Sequence, residues 1–202
     1  MPLRSRPRLK KLFEYVAGPL GLGIEVVLTD GGQPIGRGVG PVLEARDVMA
    51  VLDNQTDAPA DLRDKAVRLA GRILENDPEL AGGAGERRAR ELLETGAARR
   101  KMAQIVEAQG ASPLAVRLGE RVHEVCATRD GTVSAIDCLR IASIARLAGA
   151  PTDPGAGLDI LRKVGEPVAA GEPLYRIHGS EPSDFGFAVE ASAEDPGVSV
   201  TP

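Results

Sequence analysis

Between Gln33 and Val48 the chain reads QPIGRGVGPVLEARDV, and three alternate glycines, Gly36, Gly38 and Gly40, let its backbone approach a ligand closely. Pro41 suits the first turn of a helix, where its missing N–H costs nothing. Glu44 and Asp47 follow near the positive end of that helix. Backbone N–H groups at such a helix start favour anions, so a phosphate cradle is one reading of the turn. The spacing is not G-x-G-x-x-G and no acid stands the expected distance beyond it, so a tight structural turn is the favoured one. The other chemistry-bearing residues are sparse. His123 and His178 are the only histidines, each without a Cys or acid at ligand spacing. Cys126 and Cys138 have no C-x-x-C partner, which argues against zinc, and a Ser-His-Asp set has too few histidines to rest on. Glu75-Asn-Asp77 and the charges from Glu86 to Glu91 read as solvated helix faces.

These residues need elements to hold them. Leu9, Leu12, Phe13, Val16 and Leu20 recur at helical spacing, and Gly18-Pro19 ends that helix. The nearly continuous apolar run Ile24 to Thr29 predicts a buried, parallel-type strand before the turn Asp30-Gly31-Gly32. Val42 to Leu52 reads as a helix, and Leu62, Ala66, Leu69 and Ile73 place an apolar stripe on the next. A third spans Glu86 to Ala108, with Gly96 as its point of interruption. One strand with several helices is an incomplete α/β layer. Beyond Leu118, the runs 122–127 and 132–136 flank a turn-rich Thr128-Arg-Asp-Gly131 of hairpin type. A short helix over Leu139 to Leu147 carries Ile141, Ile144, Ala145 and Ala148 on its apolar face. Short strands then alternate with glycine turns from Gly165. From His178 onward there are five acids, no Lys or Arg, and three prolines, a composition that predicts a loosely ordered tail.

Three segments carry a family resemblance. The run Leu28 to Val48, the helix end Ala98 to Gly110 (ARRKMAQIVEAQG) and Ile141 to Gly157 (IASIARLAGAPTDPGAG) resemble, in order, segments of the thymidine and pyrimidine-nucleoside phosphorylases and the related AMP phosphorylases. The third is most similar to the AMP-phosphorylase branch. The resemblance implies reversible phosphorolysis of a pyrimidine nucleoside or AMP, with phosphate and the nucleoside or nucleotide as substrates. It also implies a C-terminal portion only, whose phosphate loop and catalytic groups lie upstream, so no catalytic residue is expected here. In that family the glycine segment contributes to a monovalent-cation site, potassium being the implied ion. By position its oxygens fall on the carbonyls of Ile35 and Gly38 and the carboxylate of Asp47, where the family usually has Glu. Hard cations take such oxygen ligands.

The expected fold is thus α/β (α+β). Residues 1–112 would be the C-terminal part of an α/β domain with helices, residues 113–180 a small barrel-sandwich or hammerhead-like α+β domain, and residues 181–202 a loose acidic tail. The spacing around Gly165 and Gly171 also resembles biotinyl and lipoyl domains. No lysine sits at the Arg129-Asp130-Gly131 tip and Lys163 lies elsewhere, so a swinging-arm carrier is not expected. The alternative to an enzyme portion is a stand-alone binding or assembly module of the same descent.

Composition narrows the rest. The chain has 202 residues, is 43% hydrophobic and only 2% aromatic, and carries a net charge of −4. Scarce aromatics and negative charge argue against a nucleic-acid partner. Residues 1–11 hold five basic groups and no acid, read as a solvated helix start. No apolar run approaches the ~20 residues that span a bilayer, and no apolar stretch follows the basic start as a secretory signal would require. Two cysteines make no disulfide framework. Cytoplasm is the expected compartment, a homodimer a possible state, and its surface would differ from the family's absent helical domain.

Overall fold

A computed structural model of the protein describes residues 6–110 and 117–202. The chain divides into two units, Met1–Gly31 and Gly32–Pro202. The first holds helix α1, Arg6–Ala17, and a 3₁₀ turn, Gly18–Leu20, closed by Gly21. Gly18-Pro19 ends the α-helix as the sequence predicts. The strand expected at Ile24 to Thr29 is not there. A strand needs an edge to pair with, and the described part of this unit offers only a helix and a turn. Ile24 and Leu28 accordingly stand exposed. Arg4 of the basic start lies outside the described residues.

In the second unit a two-residue strand β1, Gly38–Val39, runs into helix α2, Pro41–Leu52. Helices α3, Ala60–Leu74, α4, Ala84–Glu94, and α5, Ala97–Gln109, follow. The long third helix is therefore two, parted at Gly96, whose φ of 71° is open to glycine and strained for other residues. On α3 the buried positions are Val67 and Gly71, whereas Leu69 and Ile73 are exposed. The face is turned because α4 packs against the small side of α3. A Cβ on Gly85 would stand 2.2 Å from the Gly71 carbonyl oxygen. The resulting core is small, Val51, Val67, Ala89 and Leu93, and leaves an apolar groove of about 350 Å³ between the helices.

The remaining elements are β2, Arg121–Cys126, β3, Gly131–Ile136, α6, Cys138–Leu147, β4, Gly157–Ile160, β5, Pro167–Val168, β6, Pro173–Gly179, α7, Pro182–Glu194, and β7, Val198–Thr201. They build an antiparallel four-stranded sheet in the order β1-β4-β6-β2 and a three-stranded one, β5-β3-β7. The fold is α+β. The expected β2–β3 hairpin does not form, because β2 pairs with β6 while β3 pairs with β5 and β7 in the other sheet. Between the sheets and the two helices lies the main core, with Tyr175, Ile141, Ile144, Leu158, Ile160, Ile177 and Val133 essentially sequestered from solvent. Asp137 caps α6 by accepting from the N–H groups of Leu139 and Arg140.

The tail expected to be loose is ordered in the structure. Val198 and Val200 alternate toward the core from β7, and Ala188 and Ser192 are buried on α7. Arg140 reaches over to the carbonyls of Ala191 and Asp195 at the helix end. Composition counted the charges but not the apolar residues that α7 and β7 turn toward the core. The expected boundary at 112/113 falls on residues that are not described.

Candidate functional site

The glycine turn is held from every side by carboxylates. Asp47, one turn and a half into α2 and buried, accepts from the N–H of Arg37 at 2.6 Å and of Gly38 at 2.7 Å, both on Oδ2. The N–H of Gly36 points to Asp61 on α3, at 3.2 Å from Oδ2. The N–H of Gly40, the N-cap of α2, meets Oε1 of Glu44 in the helix's first turn at 2.9 Å. Pro41 takes the first helical position, as the sequence predicts. Gly38 is required for proximity. A Cβ there would lie 2.3 Å from the carbonyl carbon of Leu43, so the turn could not rest on the helix it precedes.

A second set of bonds joins this turn to the sheet. Ile160 N–H donates to the Arg37 carbonyl at 2.8 Å, extending the β1–β4 pairing of Gly38 with Asp159. Val164 N–H reaches Gln33 Oε1 at 2.9 Å. Lys163 donates to the Pro34 carbonyl and to Asp61 Oδ2. Arg46 makes the strongest link. Its Nη1 and Nη2 engage Asp159 end-on at 2.9 and 2.7 Å, and Nε and Nη2 also meet Asp47 Oδ1 at 3.2 and 3.0 Å. The bonds to Asp159 hold the guanidinium above its usual range, partial burial opposes this, and the bonds to Asp47 add to it.

The N–H groups of Gly36, Arg37, Gly38 and Gly40 are thus committed to the chain's own carboxylates, and a phosphate would have to displace them. The structural-turn reading is the one this geometry supports. The cation reading meets a similar constraint. A carboxylate offers about four acceptor positions. At Asp47 two are taken by backbone N–H groups and two by the guanidinium, so with Arg46 in place none is left over for a metal ion. Of the three residues expected as ligands, Gly38 and Asp47 are brought together through the Gly38 N–H, while Ile35 lies at the exposed part of the turn. Among the described residues no group of three or more His, Cys, Asp or Glu is placed to hold a metal ion.

Sequence reasoning missed Arg46, Asp61, Asp159, Lys163 and Gln33 as members of this network. The adjacency Arg46-Asp47 was the available signal. Asp159 is 113 residues from Arg46, and only the β1–β4 register puts it there. The two histidines lie on the paired strands β2 and β6, one register step apart, so their side chains leave opposite faces of the sheet. His123 is exposed on β2. His178 on β6 is buried, and burial pushes its imidazole below the usual value, with Arg176 and Arg46 acting the same way and Asp159 and the Gly119 backbone opposing. Cys126 and Cys138 are not joined by a disulfide.

Residues 132–195 match the family model "Pyrimidine nucleoside phosphorylase C-terminal domain". The likeness is to the C-terminal portion of a nucleoside phosphorylase. Matches among curated proteins point the same way. Relatives named "Putative thymidine phosphorylase" are 55% identical in Rhodopseudomonas palustris, over 96% of this chain and 38% of the relative, and 56% identical in a Bradyrhizobium species, over 94% and 37%. A relative of the same name in Albidiferax ferrireducens is 52% identical, over 98% of this chain and 39% of its own length. The chain therefore spans somewhat over a third of the curated relatives it matches. The motif resemblance noted in the sequence is borne out by these findings.

Proposed function

We propose that this chain supplies the C-terminal portion of a phosphorylase that splits a nucleoside. Phosphate attacks the anomeric carbon of the sugar, the base leaves, and a sugar 1-phosphate forms. Thymidine is the first substrate to consider, from the relatives' name, with other pyrimidine nucleosides and AMP behind it. The role of these residues is to frame the cleft and not to perform the chemistry. The observation that carries this is the glycine turn, whose N–H groups are spent on Asp47, Asp61 and Glu44 while its flanks are bolted to β4 and the 161–166 loop. Among the described residues neither the buried His178 nor the exposed His123 has a side-chain hydrogen bond to an acid or nucleophile, which a general base would use. No helix among the described residues is long and apolar enough to cross a membrane, and the cytoplasm is the compartment this reading assigns. Dimerisation through a surface of this portion belongs to the same proposal.

The test is a phosphorolysis assay with thymidine, uridine, cytidine and AMP, each with phosphate, following base release. The expected result is turnover by the full-length Rhodopseudomonas palustris relative and none by the 202-residue chain. Turnover by the chain alone would place a complete site within it and overturn the framing role. A relative that releases base from none of the four would remove the phosphorylase reading itself.

A further inference from the structure

We infer that the Arg46 guanidinium is the resident cation of the glycine turn, filling beside Asp47 the position that a metal ion would need. Asp47 is buried one turn and a half into α2, and its Oδ2 already lies against two backbone N–H groups. Its Oδ1 is the only oxygen with room for a positive partner, and both Nε and Nη2 of Arg46 occupy it. The same guanidinium closes a planar fork on Asp159 of β4. The planar guanidinium presents separate N–H donors to the two carboxylates at once. One fixed charge thus neutralises the carboxylate that shapes the turn and also ties α2 to the four-stranded sheet. Asp in place of the longer Glu fits this arrangement. The short side chain keeps Oδ2 on the N–H groups of Arg37 and Gly38 and leaves the outward oxygen to the arginine.

The experiment is denaturant unfolding of the 202-residue chain in potassium chloride and in choline chloride at one ionic strength, so that general screening cancels. The expected result is the same midpoint in both salts. A potassium-specific rise in the wild-type midpoint, saturating with concentration, would overturn the inference. Arg46→Met keeps the aliphatic stem and removes the charge. It is expected to raise the unfolding equilibrium constant roughly tenfold, the scale of a lost charge-assisted hydrogen bond. Arg46→Lys should recover only part of the loss, since an ammonium cannot fork onto Asp159 while holding Asp47. A wild-type midpoint in Arg46→Met would equally overturn the inference. Should that variant fail to fold, the wild-type salt comparison decides the matter alone. Phosphorolysis plays no part in these measurements, so their failure leaves the enzymatic reading untouched.

Discussion

Asp47 concentrates the physics of the turn in one side chain. A buried carboxylate is costly unless its oxygens find donors, and here backbone and guanidinium N–H groups supply them. Asp47→Asn keeps the shape but removes the charge and turns one acceptor into a donor. Either orientation of the amide sets N–H against N–H, toward the turn or toward Arg46. The expected loss is about 3 kcal/mol, as for breaking one partner of a buried charged pair. Urea unfolding at neutral pH measures it, and a change within about 0.5 kcal/mol, the scale of an ordinary surface substitution, would show that the carboxylate does not organise the turn. Asp61 makes a useful contrast. It stands exposed at the start of α3, so Asp61→Asn should cost far less even though it too touches the turn.

At the scale of elements, close approach and anchoring decide the outcome. Gly71→Ala adds a Cβ 2.6 Å from Glu86 Cα, and backbone atoms cannot step aside. Alanine gains about 1 kcal/mol of helix propensity, but overpacking costs about 1–3 kcal/mol, so a net loss is expected. A thermal melt that rises for this variant would mean that α3 and α4 cross less tightly than described. Tyr175→Phe tests the other end. The buried phenol donates to the Pro196 carbonyl at 2.9 Å and so pins the turn into β7; burial pushes its pKa up, keeping the donor protonated. Losing that bond should cost about 1 kcal/mol in urea unfolding, and an unchanged midpoint would mean that its pairing with β3 and the burial of Val198 and Val200 suffice to hold β7. These cases also show what the sequence made legible. Helices α2 and α6, the break at Gly96 and the placement of Pro41 were written in local chemistry and could be read. Pairing was not. The runs around Val122 and Thr132 read as neighbours, yet each joins a different sheet, because strand choice depends on partners dozens of residues away. Asp159 was invisible as a member of the site for the same reason.

Over the molecule as a whole, pH should act most clearly through His178. It sits on the polar side of the four-stranded sheet, near Asp159, Arg176 and Arg46, with the Gly119 backbone as a hydrogen-bonding partner. Its Nδ1 has no hydrogen-bond partner among the described residues. Burial is the largest influence and lowers the folded-state value below the ordinary one of about 6.5. The unfolded chain therefore takes up a proton at a pH where the folded chain does not. Stability must then rise with pH through that window, since it rises wherever the unfolded state binds more protons. The contribution is complete above about pH 6.5 and is lost as pH falls from there toward the folded-state value. Glu172 acts in a lower window, because the Ala169 N–H and Arg162 hold its carboxyl below the usual range. Unfolding midpoints measured from pH 7.5 down to pH 5 should fall in the wild type and fall much less in His178→Gln. The glutamine keeps a polar group near Gly119 but cannot gain a charge. Parallel pH profiles for the two proteins would mean that the proton is taken up elsewhere.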